Sequence, residues 1–239
     1  TFQVRISEIE RLTDPAFHNS AAMDRKGQTL VVTSRDGRNW DKPQTVFPIY
    51  YLKPGPISGN ESGMAMMHQR MGFYVAPNGR LLVLGHYGLA PDPMGDKGIG
   101  RVVREALADG TYGPIYFIRY NSLAGANEKN TTRFPFYLRA PDEGFVAACE
   151  ALLADKLKTM QWREEDRSED GFYTALGPSS QALSASHPIL QAPAVYHRKD
   201  GKAVVLWKSS WAALSADEGK TWSTPVELPT VVTGTAKTW

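Results

Sequence analysis

The chain has one cysteine in 239 residues, Cys149, so no disulfide framework staples it. It has no run of about 18 apolar residues, so no membrane-spanning helix is expected. Nor is there an excess of charge of one sign, because 27 Lys and Arg against 25 Asp and Glu leave a formal net charge of +2. The two signs are interspersed, which makes nucleic acid and acidic membrane surfaces unexpected partners. His residues are scattered and no phosphate-cradling glycine loop is present, so neither a metal nor another cofactor is expected. The chain also lacks an initiator Met and a basic-then-apolar leader. The expectation is that its true N-terminus, with any signal peptide, is missing by processing or truncation.

What is present is an ordinary globular balance of 42% apolar and 22% charged residues, in a chain long enough to bury a sizeable core. Six Trp and ten Tyr suit both sheet packing and flat surfaces on which sugars stack. The strongest local pattern is Ser215-Ala216-Asp217-Glu218-Gly219-Lys220-Thr221-Trp222, followed by Pro225 and Leu228. Ser34-Arg35-Asp36-Gly37-Arg38-Asn39-Trp40, followed by Pro43 and Val46, repeats it far upstream. The chemistry of that spacing is structural. The Asp carboxylate accepts backbone N–H groups across a tight turn, Gly supplies an angle other residues resist, and Trp pins the turn onto a sheet. Asp109-Gly110-Thr111-Tyr112-Gly113-Pro114 reads as a third, degenerate copy.

A second element also recurs. Gln69 to Tyr74 runs through Pro77-Asn78-Gly79 into Leu81-Leu82-Val83-Leu84, and Gln191 to Tyr196 runs through Lys199-Asp200-Gly201 into Ala203-Val204-Val205-Leu206. Asn-Gly and Asp-Gly between apolar runs mark hairpins. Each unit therefore reads as a hairpin, a third strand, an Asp turn and a fourth strand, which makes one four-stranded blade. Such units fall at about 1–50, 64–120 and 187–232, and the stretch from 121 to 186 holds room for a fourth. From Glu143 to Arg167 the apolar positions Phe145, Val146, Cys149, Leu152, Leu153, Leu157 and Met160 take helical spacing, with Asp142 as the N-cap. Cys149 falls on the apolar side, as a buried inert thiol.

The Ser-x-Asp turns resemble the Asp box, and the chain is similar to sialidase-like β-propellers, also called BNR-repeat proteins. The stretch of about 64–222 is also similar to uncharacterised bacterial proteins labelled exo-α-sialidase. The resemblance implies an all-β fold: a β-propeller of four-stranded blades, of the six- or seven-bladed type, only partly present here and carrying one inserted helix at about 143–167. Residues 1–239 would then be a single incomplete propeller domain. In this family the box is a folding device away from the active site, so Asp36 and Asp217 are not expected to be catalytic.

The same resemblance places ligands at the mouth of the central channel, against the start of the innermost strands. Leu190-Gln191-Ala192-Pro193 resembles the family's Phe-Arg-Ile-Pro motif, with Gln191 where the family grips a carboxylate with Arg, and Gln69 at the matching place. A neutral amide does not make the bidentate charged pair of an Arg, so these two fit sugar hydroxyls rather than a sialic-acid carboxylate. His68 and Arg70 flank Gln69, and His86 with Tyr87 and Trp207 with Lys208 end the second strands of their hairpins. His86 suits acid–base work near neutral pH. Glu164 and Tyr173, after the helix, match the family's Glu-assisted Tyr nucleophile. Arg101, Arg104, Glu105 and Arg119 offer contacts to an acidic sugar, although Arg104 and Glu105 alternate in direction on a strand.

The expected activity is a bacterial, secreted glycoside hydrolase that removes a terminal sugar from a glycan by acid–base catalysis. The catalytic residues would be Glu164, Tyr173 and His86, and the substrate-binding residues His68, Gln69, Arg70, Tyr87, Arg104, Gln191, Trp207 and Lys208. A polysaccharide lyase on uronic-acid linkages and a non-catalytic glycan-binding propeller are the alternatives. A monomer in an extracellular or periplasmic location, with a glycan as partner, completes the expectation.

Overall fold

The computed structural model describes residues 28–34, 36–52, 63–67, 72–90, 98–121, 125–130, 133–160, 194–207 and 210–229. The chain divides into two compact units, Thr1–Ala151 and Leu152–Trp239, each built mainly of antiparallel strands.

In the first unit, β1 (Thr29–Val31) and β2 (Gln44–Phe47) pair antiparallel around the Asp36 turn. A six-stranded sheet follows from β3 (Tyr50–Tyr51), β4 (Met64–Met67), β5 (Gly72–Val75), β6 (Leu81–Leu89), β7 (Gly98–Ala106) and β8 (Tyr116–Tyr120). Its order is β3-β4-β6-β7-β8, with β5 pairing β6 beyond the reach of β4. Strand β6 is the spine. Its leading half takes β5, from Val75 opposite Leu81 to Gly72 opposite Leu84, and its trailing half takes β4, from Met67 opposite Tyr87. The β5–β8 succession, with a turn at Asp109 between the last two, is the four-stranded meander of a blade.

Alternation along these strands gives the sheet two buried faces. One face presents Val83, Tyr87, Val102 and Phe117 to Val46 and Phe47 of β2, which closes the main core between the β1–β2 pair and the sheet. The other face is covered by α1 (Glu143–Ala154), whose Phe145 ring lies 5.1 Å from that of Tyr116. Asp142 caps this helix by accepting the Phe145 N–H at 3.1 Å, and Cys149 is fully buried beneath it. Arg80 binds Glu105 of β7 at 2.7 Å and Asp142 at 2.8 Å, which ties the helix start to the blade. The helix stops at Asp155, and α2 (Lys156–Met160) resumes after it. The expected continuation to residue 167 lies outside the described residues.

The second unit holds a complete four-stranded meander. Strands β9 (Ala194–His197), β10 (Ala203–Leu206), β11 (Trp211–Ser215) and β12 (Val226–Glu227) lie in the order β12-β11-β10-β9, all antiparallel. Ala203, Val205, Trp207, Ala213 and Trp222 form its core.

The two Ser-x-Asp turns share one bonding scheme. Ser34 Oγ donates to Asp36 at 3.2 Å and accepts from the Gly37 N–H at 2.8 Å, while Ser215 Oγ donates to Asp217 and accepts from the Gly219 N–H, both at 2.8 Å. The second turn is one residue longer, because Glu218 enters between Asp and Gly with a φ of 56°. The third expected copy is not of this kind. At Asp109-Gly110 the Leu107 N–H donates to Thr111 O and the Gly110 N–H to Leu107 O. Ala76 to Arg80 and Arg198 to Lys202 carry the same pair of bonds, so all three are one hairpin turn with Gly at a positive φ. Asp-Gly occurs in both kinds of turn, and only the missing Ser two residues ahead of Asp109 tells them apart. The Trp positions also diverge: Trp222 is 6% exposed in its core, whereas Trp40 is 40% exposed.

Candidate functional site

Of the expected site residues, His68, Gln69, Arg70, Glu164, Tyr173, Gln191 and Lys208 lie outside the described residues. The other four have definite places. Tyr87 is a core residue. Its side chain is fully buried, its hydroxyl donates to Pro48 O at 2.5 Å, and its ring stands edge-on to Tyr50 at 4.9 Å. Burial pushes its phenol well above the usual range. Trp207 is likewise 2% exposed, inside the core of the second meander. Both are expected among the substrate-binding residues, but both rings are consumed by packing, the commoner use of large apolar area.

Arg104 is bound to the main chain. Its Nε donates to Gly113 O at 2.7 Å, Nη1 to Val46 O at 2.6 Å and Nη2 to Tyr112 O at 3.1 Å, with the guanidinium 5.2 Å above the Tyr112 ring. It therefore laces β2 to β7 and the Asp109 turn, and is not placed as a substrate contact. Its companion Glu105 holds Arg80.

His86 occupies a more informative place. It stands directly opposite Arg101 on β7, and Arg101 stands directly opposite Arg119 on β8. Directly opposed residues share a face, with Cβ atoms about 4.5–5.5 Å apart, so the three form one row across three strands. The row lies towards the end of the sheet where β6 and β8 finish and β7 begins, away from the Asp109 turn. Burial falls along it: His86 is fully buried, Arg101 is 2% exposed and Arg119 is half-buried. The guanidiniums of Arg101 and Arg119 thus stand on neighbouring strands of one face, beside the His86 imidazole.

A bulge makes the row. Between β7 and β8 the register shifts, so that Arg101 faces Arg119 while Val102 faces Phe117. Phe117 and Arg119 are two apart and would share a face in a regular strand; the extra residue, Ile118, turns Arg119 to the face of Arg101 and His86. Phe117 stays in the opposite core, its ring stacked on Tyr120 at 5.0 Å. Gly98 and Gly100, unusual inside a strand, were the available sequence signal for such a bulge or close approach. Among the described residues, no group of three or more His, Cys, Asp or Glu is arranged to hold a metal, and no helix is long and apolar enough to cross a membrane.

Comparison with known proteins agrees with this architecture. Residues 16–178 match the family described as "BT_1020-like, N-terminal beta propeller". A solved structure described as "Sialidase" superposes with a TM-score of 0.69 and is 40% identical over 84% of this chain. The chain spans 18% of that protein's length. No curated protein matches it.

Proposed function

The chain belongs to the BT_1020-like N-terminal beta-propeller family, a sialidase-like propeller family, and on that premise we propose that it is a carbohydrate-active propeller, a glycoside hydrolase that removes a terminal sugar from a glycan by acid–base catalysis. The observation that carries the reading is the His86–Arg101–Arg119 row. Arg119, the half-buried end of the row, is the group that meets the substrate, because a guanidinium matches a sugar carboxylate in a bidentate pair. His86, wholly enclosed, acts as a positioning residue behind Arg101 rather than touching the sugar. Glu164 and Tyr173 remain the proposed acid–base and nucleophilic groups. The solved relative described as "Sialidase" supports a hydrolase of acidic glycans. An extracellular or periplasmic location goes with that substrate.

The same row favours a second reading, a lyase on uronic-acid linkages, in which the cations neutralise the uronate carboxylate while a base removes the neighbouring proton. A propeller fold by itself does not decide between catalysis and binding, so a non-catalytic glycan-binding propeller is the third reading.

The test is incubation of the chain with a sialylated trisaccharide and with hexagalacturonate. The hydrolase reading expects release of reducing sugar without an unsaturated, ultraviolet-absorbing product. Arg119→Ala should lower turnover by at least about tenfold, with partial return in Arg119→Lys. An unsaturated product makes the protein a lyase. Binding without turnover makes it a glycan-binding module, and neither binding nor turnover ends the carbohydrate reading.

A further inference from the structure

At the end of the first-unit blade away from the His86 row, three turns enclose a groove that the hydrolase reading does not use. The Asp36 turn, the Asn78 turn and the Asp109 turn, with the Asp142 cap beside them, surround a cavity of about 1220 Å³. Its floor at Leu81 is five residues along β6 from His86, about 17 Å at the rise of a strand. We propose that this groove is a second, non-catalytic binding site for a neutral oligosaccharide.

Three features point to that ligand. The volume exceeds what a single small molecule fills and suits several linked sugar rings. The walls mix planar polar side chains, Asp41, Gln44 and Asn78, with apolar surface from Leu107 and Tyr112. Sugars need this mixture, because each ring has an apolar face and a rim of hydroxyls. Leu107 is 40% exposed, which leaves apolar surface open to the face of a sugar ring.

Charge sets the class of sugar. Among the described residues, Asp41, Glu105, Asp109 and Asp142 line the groove against one cation, Arg80, which is itself held by Glu105 and Asp142. An acidic sugar is repelled there, whereas carboxylates accept hydroxyls of a neutral one well. A metal ion is a poorer occupant. The carboxylates already take protein donors, Asp41 from Thr33, Asp109 from Thr111, and Glu105 and Asp142 from Arg80. The two ends of the blade thus differ in sign, with cations at the His86 row and an excess of carboxylates here.

The site is tested by calorimetric titration of the full chain with cellohexaose, xylohexaose and mannohexaose, alongside hexagalacturonate and a tetralysine peptide. The expected result is binding of at least one neutral hexasaccharide. Leu107→Ala and Gln44→Ala, both at residues that line the groove, should each weaken it, the former by about tenfold or more, and Arg119→Ala should leave it unchanged. Gln44 is exposed, so its variant reports on the groove even where Leu107→Ala lowers stability. The proposal is overturned if no neutral hexasaccharide binds or if both groove variants bind as tightly as the parent. Loss of binding in Arg119→Ala, or preference for hexagalacturonate or tetralysine, overturns it as well. Because Arg119 belongs to the other end, failure here leaves the hydrolase reading standing, and the reverse holds too.

Discussion

Gly100 lies against the main chain of Arg119, so closely that a Cβ on the glycine would stand 2.3 Å from the Arg119 carbonyl oxygen. Its φ of 154° is one that L side chains rarely adopt. This approach sits beside the bulge that sets Arg119 opposite Arg101, so the glycine and the cationic row belong to one arrangement. A residue without a side chain thereby governs where Arg119 stands.

Gly100→Ala should therefore destabilise the first unit by about 2 kcal/mol or more, since the obstruction is backbone rather than a yielding side chain. It should also weaken binding of an acidic glycan, because β8 must move. Urea unfolding and titration with hexagalacturonate check both parts. An unchanged midpoint would refute the close approach.

Arg104→Ala should lower stability by about 2–4 kcal/mol, through three backbone carbonyls that lose their donor and through the gap left over Tyr112. Arg104→Lys should restore less than half of that, because an ammonium cannot reproduce the fork. Glycan affinity per folded molecule should not change. A large fall in affinity with intact stability would return Arg104 to the binding site.

The Asp turns predict an acid limb to stability. The Thr221 hydroxyl and N–H, then the Ser215 hydroxyl, hold the Asp217 carboxyl down to about 2, and the Asn39 and Arg38 N–H groups hold Asp36 lower still. An unfolded Asp titrates near 3.9. A folded pKa below the unfolded one means that the stabilisation is fully present above about pH 4 and is lost as pH falls towards 2. The stability gap between the parent and Asp217→Asn should close over that window. A gap independent of pH from 5 to 2, measured by urea unfolding, contradicts the assignment.

Cys149 should not react with a thiol reagent while the protein is folded. Its side chain is fully buried, and burial pushes the thiol up to about 12, so little thiolate forms at neutral pH. Labelling should rise only through the denaturant transition. Rapid labelling in native buffer would place α1 away from the sheet.

The parts that were legible in the sequence are those whose cause is local. Asn78-Gly79 and Asp200-Gly201 close hairpins because the bonds, Gly79 N–H to Ala76 O and Gly201 N–H to Arg198 O, lie within a few residues. Ser34 with Asp36 and Ser215 with Asp217 satisfy their turn's donors in the same short range, and Asp142 caps its own helix. The third copy at Asp109 was misread because local composition there fits two turns, and the hydrogen bonds chose the hairpin.

The candidate site was legible only in fragments. His86, Arg101 and Arg119 each stood out as residue types that carry chemistry, but nothing in their spacing aligns them. Tyr87 and Trp207 are buried in cores, which composition does not show, because an aromatic that packs and one that stacks on a sugar are the same residue type.

The sequence by itself determined the repeat, the turns and the helix start, since each follows from short-range hydrogen bonding and the period of apolar residues, while the propeller class came from the family that those turns resemble. Tertiary structure alone decided which face each side chain took. One extra residue at Ile118 reverses the alternation of β8 and brings Arg119 into line with Arg101, and cross-strand register sets His86 beside them. Register is a relation between strands distant in the chain, fixed by the packing of whole faces, so no local pattern contains it.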